Sequence, residues 1–222
     1  MKITNVKKQL GDFLLNINEM CIPMGKINGI IGANGCGKTT TMKILAGLIK
    51  PDNGYVDYNG LTPRDITMVF RKPYLLHDTV IRNLTYPLNV RKMKLPQDEL
   101  NFYLEISGLK EAQNQYAPGL SGGQQQKLAL IRAMIFKPKV ILIDEAFSNL
   151  DIKSAGTFEK LILEQQKEEK TTYIICSHQL SHIKRMCSHV FFMENGQVEV
   201  EGNEILTNPQ NPYLIKYLQY LK

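Results

Sequence analysis

The sequence predicts an α/β fold built on a mostly parallel sheet, with an antiparallel β subdomain at the N-terminus and a helical subdomain inserted into the core. Three observations carry this. An apolar run, 27–31, leads into a Gly-rich segment, 32–37, and then into a helical pattern. Two more apolar runs, 140–143 and 173–176, show no polar alternation and are separated by a helix-length stretch, the mark of parallel strands covered on both faces. Between them and the N-terminal third, residues 73 to about 116 turn polar and helical. The 222 residues suit one such domain, 1–222, divided into a core (1–72 and 131–222) and a helical part (about 73–130).

The elements follow in order. Residues 1–8 alternate polar and apolar side chains instead of setting a basic start before an apolar block, so no secretory signal is read and the chain is expected in the cytoplasm. The alternation over 13–17 and the run at 27–31 predict strands. A helix should follow the Gly-rich segment, with Met42, Leu45 and Leu48 at helical spacing. Pro51-Asp52-Asn53-Gly54 is a turn, and strands at 55–58 and 66–70 flank Asn59-Gly60. Prolines at 87 and 96 punctuate the helical insert. Gly122 and Gly123 precede a helix with Leu128, Ile131 and Ile135 on one face, stopped by Pro138. The strand at 140–143, a helix over 152–169 and the strand at 173–176 form a βαβ succession. A hairpin around Asn195-Gly196 and a last helix from Asn211-Pro212, carrying Leu214, Tyr217, Leu218 and Leu221, complete the chain.

Composition narrows the function classes. The formal charge is +6, but the basic residues are scattered: Arg91, Lys92 and Lys94 are soon followed by Asp98 and Glu99, and Lys167 and Lys170 flank Glu168 and Glu169. A nucleic-acid partner is not expected from such a distribution. No apolar run approaches the roughly 20 residues of a spanning helix, so a separate partner would have to supply any membrane spans. Cys21, Cys36, Cys176 and Cys187 have neither CxxC spacing nor scaffold density, which suits free thiols and no structural metal.

Gly32-Ala33-Asn34-Gly35-Cys36-Gly37-Lys38-Thr39 satisfies the phosphate-loop pattern GxxxxGK followed by Ser or Thr, between an apolar strand and a helix. Its glycines let backbone N–H groups turn toward a β-phosphate, Lys38 and the positive helix end offset the charge, and Thr39 is placed to hold Mg²⁺. Asp144 and Glu145 end the strand at 140–143, where open α/β sheets put their ligand sites. Asp144 would orient the shell of the Mg²⁺ and Glu145 would polarise an attacking water as general base. Leu120-Ser121-Gly122-Gly123-Gln124 sets a second helix N-terminus behind an exposed Ser and two bare glycines. An ordinary Ser N-cap is the plainer reading of Ser-Gly-Gly.

With that LSGGQ segment ahead of an apolar strand ending in Asp-Glu, the chain resembles the ATP-binding cassette (ABC) ATPases, P-loop NTPases, over nearly its whole length. The resemblance implies ATP and Mg²⁺ as ligands, with Gly32, Asn34, Gly35, Cys36, Gly37, Lys38, Thr39 and Thr40 around the nucleotide. It implies two ATP molecules between two copies, each gripped by one phosphate loop and by Ser121, Gly122, Gly123 and Gln124 of the other copy. Ser148-Asn149-Leu150-Asp151 is similar to the family's D-loop at the dimer interface, with Asp151 its acid. His178 matches the switch histidine, expected to contact the γ-phosphate and hold the water with Glu145; Glu145, His178 and Lys38 are the candidate catalytic groups. His178 and His182 can also be read as an i,i+4 metal pair, though no third ligand is apparent. Phe13 or Leu10 occupies the region of the adenine-stacking aromatic.

One position departs from the family. After Met68-Val69-Phe70 relatives carry Gln, whose amide reaches Mg²⁺ and the water; here stands Arg71, which can neither accept a hydrogen bond nor ligate a cation. Arg71 is expected either to approach phosphate or to swing out to a partner surface, or to be a tolerated loop substitution. Lys127, where relatives show Arg, is a milder change.

The resemblance implies a transporter motor: a homodimer, or a heterodimer with a second cassette, working through transmembrane permease subunits, with a solute-binding protein if it imports. Residues 69–76 and the length look most like bacterial importers of small solutes such as oxyanions. A soluble cassette acting on DNA or ribosomes is the rival, but the coiled-coil insertions, zinc motifs or tandem cassettes of those relatives are missing. A binding-only ATP sensor is the third reading; Lys38, Asp144, Glu145 and His178 argue against it and Arg71 for it.

Overall fold

A computed structural model describes residues 1–220. Two sheets share the chain. The smaller is antiparallel, in the order β2 (Phe13–Cys21), β1 (Lys2–Leu10), β4 (Asn53–Asp57). Leu15 and Ile17 are fully buried under it at the alternation seen over 13–17, while in β1 the buried Ile3 and Val6 stand three apart across an irregularity at Asn5, φ 48°. The alternating start of the chain is thus β1, an element that becomes a strand by pairing with β2 from Lys2↔Cys21 to Leu10↔Phe13.

The larger sheet runs β5 (Ile66–Val69), β6 (Val140–Asp144), β7 (Thr172–Cys176), β3 (Ile27–Gly32), β8 (His189–Glu194), β9 (Gln197–Gly202). All neighbours are parallel except β8 and β9. Successive residues of β6 face opposite cores: Ile141 and Ile143 enter one, Val140 and Leu142 the other. That is why the strand reads as an unbroken apolar run. One face is covered by α1 (Lys38–Leu45) and the antiparallel sheet, whose Met42, Ile44 and Leu45 join Ile3 and Leu15. The other is covered by α4 (Gly122–Met134) and α5 (Ile152–Glu169), through Leu128, Ile131, Phe158 and Ile162.

The helical insert is α2 (Val80–Arg91), with Pro87 inside it, and α3 (Gln97–Ile106). Leu84, Leu88 and Leu104 belong to the same buried cluster as the sheet residues Ile141 and Ile175, and α4 crosses position 130/131 as one continuous helix. The insert therefore lies on the core through α4.

Several boundaries differ from expectation for local reasons. Leu48 lies beyond α1 and is 57% exposed, because Ala46 caps the helix and Gly47 turns left-handed at φ 71°. The strand expected at 55–58 is β4, which begins at Asn53, and Tyr58 leaves it to donate to the Ile44 carbonyl at 3.2 Å. β5 stops at Val69 instead of residue 70. α4 ends at Met134 with Ile135 as its cap, before Pro138 is reached, since Lys137 is left-handed at φ 50°. A short helix, α6 (Leu180–Met186), was not anticipated. The Asn195-Gly196 hairpin forms with φ 44° and 79°; a Cβ on Gly196 would stand 2.2 Å from the Leu14 carbonyl oxygen, so glycine is required there. The last helix, α7 (Pro212–Tyr220), buries Leu214; Leu221 lies outside the described residues.

Candidate active site

The phosphate loop rises from the C-terminal end of β3. Gly32 has φ 146° and a Cβ there would meet the Met193 carbonyl oxygen at 2.1 Å, so the neighbouring strand leaves room for nothing larger. Lys38, 6% exposed, folds back under the loop and its ammonium donates to the Gly32 carbonyl at 2.8 Å and the Ala33 carbonyl at 2.7 Å. The loop is thereby closed around a positive charge. Gly37 caps α1 with φ 107° and no side-chain hydrogen bond, and the first helical bond runs from the Thr41 amide to the Gly37 carbonyl at 2.9 Å. The amides of Lys38, Thr39 and Thr40 thus precede the helical ladder, and such a helix end binds anions.

Thr39 ties this loop to the end of β6: its hydroxyl donates to Asp144 Oδ2 at 2.9 Å. Asp144 is buried, and its Oδ1 has no partner. Burial pushes the carboxyl up from its ordinary value, against the Thr39 hydrogen bond that holds it down. Burial also pushes the neighbouring Cys36 and Cys176 thiols up, so neither is a ready thiolate.

Glu145 takes a left-handed backbone, φ 51°, while its amide still donates to the Cys176 carbonyl at 3.0 Å. A non-glycine residue held in this region marks a position fixed by its surroundings. Both carboxylate oxygens are engaged: Oε1 meets His178 Nε2 at 2.5 Å and Oε2 meets Arg71 Nη1 at 3.2 Å. Arg71 lies on Glu145 with its side chain 69% exposed, a carboxylate being a strong partner for a guanidinium at the end of β5.

Ser121 caps α4. Its hydroxyl accepts from the Gln124 amide at 3.3 Å, and the Gln124 side-chain oxygen accepts from the Ser121 amide at 3.0 Å, a complete capping box. The cap is nevertheless exposed at Ser121 and Gly122. Among the described residues no hydrogen bond joins Ser121, Gly122, Gly123 or Gln124 to the phosphate loop. A Cβ on Gly123 would sit 3.2 Å from the Asn149 carbonyl oxygen, so the signature abuts residues 148–151. Asp151 caps α5, its carboxylate accepting from the Ser154 amide at 2.8 Å; the Ser154 hydroxyl and amide hold it down to about 2. Lys127 approaches Asp151 at 3.7 Å, and the Gln126 amide donates to the Phe70 carbonyl at 3.3 Å, which links α4 to the strand leading to Arg71.

Residues 15–148 match the ABC transporter family. This chain belongs to that family. The tungstate uptake system ATP-binding protein TupC of Peptoclostridium acidaminophilum is 36% identical over 209 residues, 90% of this chain and 97% of that protein. The sulfate/thiosulfate import ATP-binding protein CysA of Synechocystis is 33% identical over 233 residues, covering 97% of this chain but 64% of its own length. Among solved structures, a dimeric ATP-binding cassette in a post-hydrolysis state bound to ADP and Pi superposes with a TM-score of 0.79 at 27% identity, over 91% of this chain and 97% of that one.

As an ABC cassette the chain binds ATP and hydrolyses it. Beside its phosphate loop lies a cleft of about 420 Å³, and Phe13 lines it together with Asn34, Gly35 and Glu194. The Phe13 ring edge also lies 3.1 Å from where a Gly37 Cβ would be. Phe13, and not Leu10, is thus the side chain that faces the loop. Sequence reading missed the hairpin wall: the Gly196 amide donates to the Cys36 carbonyl at 3.1 Å, and Glu194 and Asn195 close the cleft. The Asn195-Gly196 turn was visible as a hairpin, but nothing local said where it would dock. The alternative reading of His178 and His182 as a metal pair finds the two rings turned to different partners. His178 turns to Glu145, whereas His182 is buried against Glu159 and Gln179 and stacks on Phe147.

Proposed function

We propose that this cassette powers solute movement across a membrane by closing, with a second cassette, around two ATP molecules. The observation that carries the reading is the run of side chains from Thr39 through Asp144 and Glu145 to His178, which joins a phosphate-binding helix end to a poised base in one chain. In this reading the loop residues Gly32, Asn34, Gly35, Cys36, Gly37, Lys38, Thr39 and Thr40 hold the phosphates, with Lys38 turning from its carbonyls to the anion. Phe13 stacks on the base. Glu145 takes a proton from the attacking water, and His178 orients that water and the γ-phosphate.

A hard cation fits beside them. Asp144 Oδ1, buried and without a partner, and the Thr39 hydroxyl supply the oxygen donors that Mg²⁺ prefers, Asp144 acting partly through water. When bound, the ion would offset charge on the transferring phosphoryl group.

The signature completes the site from the other copy. Ser121 and Gly122 sit exposed at the start of a 13-residue helix and are not bonded to their own phosphate loop, so α4 can offer its free end to a nucleotide held elsewhere. Asp151, beside it, would cross the same interface. The core (1–72, 131–222) and the helical part (about 73–130) would move relative to each other as the sandwich closes.

No helix among the described residues is long and apolar enough to cross a membrane. Permease subunits would therefore carry the solute, with this chain on their cytoplasmic face and, for import, a solute-binding protein on the other side. A groove of about 310 Å³ between β5 and the insert, lined by Phe70, Tyr74, Leu76, Tyr86 and Arg132, is the docking surface proposed for them. The tungstate and sulfate relatives favour an oxyanion as the solute.

Glu145→Gln with saturating ATP tests the shared site: the variant should elute from gel filtration at twice the monomer mass. A variant that stays monomeric at every ATP concentration contradicts it.

A further inference from the structure

The geometry points to His182 as a positioning residue that holds the Glu145 and His178 segments in register, through a buried cluster with Glu159, Arg185, Gln179 and Phe147. His182 is 6% exposed on α6, and among the described residues it has no hydrogen bond to the phosphate loop or the acid pair. Besides Arg185, whose Nη2 lies 3.2 Å from Nδ1, its ring has three contacts that lead to different places. Nδ1 bonds Glu159 on α5 and Nε2 bonds the side-chain oxygen of Gln179. The ring also stacks on Phe147 with centroids 5.5 Å apart and planes at 19°.

Gln179 is the residue after His178, and Phe147 is two residues after Glu145. One imidazole therefore joins the segment that carries the base to the segment that carries its histidine. Glu159 anchors the ring: Arg185 grips its carboxylate with Nε at 3.1 Å and Nη2 at 2.6 Å. Burial would raise that carboxyl, but the hydrogen bonds from Arg185 and His182 outweigh it and hold it below its ordinary value.

A merely structural tether between α5 and α6 would need only the Arg185–Glu159 pair. What His182 adds is orientation. The Glu145–His178 contact is 2.5 Å, and small displacements of reacting groups cost far more in rate than in stability.

The inference rests on the reading of Glu145 and His178 as the groups acting on water, so the experiment separates the two. His182→Phe keeps the stack on Phe147 and removes both hydrogen bonds; Glu159→Gln keeps the shape and weakens the anchor. Each is assayed for phosphate release, for binding of a fluorescent ATP analogue and for Tm, beside Glu145→Gln. The expected result is kcat lower by about tenfold to a hundredfold in His182→Phe. Glu159→Gln should show a smaller loss in the same direction. KM and analogue affinity should stay near the parent values, while Tm falls by a few degrees in both variants because buried hydrogen bonds are lost. Unchanged kcat in both variants, with Glu145→Gln inactive, overturns this inference alone. The same holds if kcat and analogue affinity fall together, the mark of a site that has lost its shape. A Glu145→Gln enzyme that hydrolyses at the parent rate overturns both readings.

Discussion

Replacing Arg71 by Gln restores the residue type expected after β5, and the structure says what it should do. Both oxygens of Glu145 are engaged in the free chain, and although each keeps a lone pair, Arg71 competes with the attacking water for one of them. Arg71 is the partner that gives way: its side chain is 69% exposed, and its contact is the longer one, 3.2 Å against 2.5 Å for His178. A guanidinium–carboxylate pair with one partner exposed and the other at 11% exposure is worth about 1 kcal/mol after screening. Freeing Glu145 from it should therefore raise steady-state phosphate release by up to about fivefold. Part of that gain should vanish at high ionic strength, where the parent's pair is already weakened. Arg71→Lys, which keeps the charge, should stay near the parent. Gln also adds an acceptor that Arg lacks, so half-maximal Mg²⁺ should fall. A loss of tenfold or more in Arg71→Gln with unchanged ATP affinity would refute the argument, because it would make the guanidinium a contributor to the reaction instead of a restraint on its base. Equal rates for all three proteins at low and high salt would place the ion pair outside the reaction path.

Other consequences are as direct. Gly196→Ala puts a Cβ against the Leu14 carbonyl at a left-handed residue, so Tm should drop by several degrees, reflecting a loss of about 2 kcal/mol or more, with activity impaired because the hairpin also closes the nucleotide cleft. Thr39→Ala removes the hydroxyl that reaches Asp144; hydrolysis should fall at least about tenfold while nucleotide binding without added metal, followed by equilibrium dialysis, stays close to the parent. The Glu159 carboxyl is held below its ordinary value of 4.5, so its contribution to stability is full above that pH and is lost as pH falls through the lower, folded value. Tm measured from pH 7 to 3.5 should accordingly decline less steeply at the acid end for Glu159→Gln than for the parent.

What the sequence made legible follows from how local each signal is. The phosphate loop, the Asp144-Glu145 strand end and the Ser121 cap are contiguous, and their spacing states their backbone geometry: a strand end, a left-handed turn, a helix start. The unbroken apolar runs at β6 and β7 announced burial on both faces before any partner was known. Leu48 misled because the spacing of Met42 and Leu45 continues through it, while Gly47, one residue earlier, ends the helix. α6 gave no start signal, since Gln179 caps it without a side-chain hydrogen bond and the helix has only seven residues.

The contacts that could not be read are those made by single side chains across distance in the chain. Arg71 and Glu145 are 74 positions apart by their numbers, and their meeting depends on β5 and β6 lying side by side in parallel register, Val69 opposite Ile143. Recognising both strands gave neither their adjacency nor their register; once formed, that pairing sends both chain segments off the same edge of the sheet together. A charge leaving β5 must then confront a charge leaving β6, and an arginine there has little choice but the carboxylate. His182 is the opposite case. Its i,i+4 relation to His178 suggested a shared ligand, but the spacing holds only if both lie on one helix, and His178 precedes α6 on the turn after β7. The turn points His178 toward the acid pair, while the helix carries His182 down against α5, where a carboxylate and an arginine were already waiting. The same two histidines thus serve the two ends of one segment, one facing the base and the other fixing the segment in place.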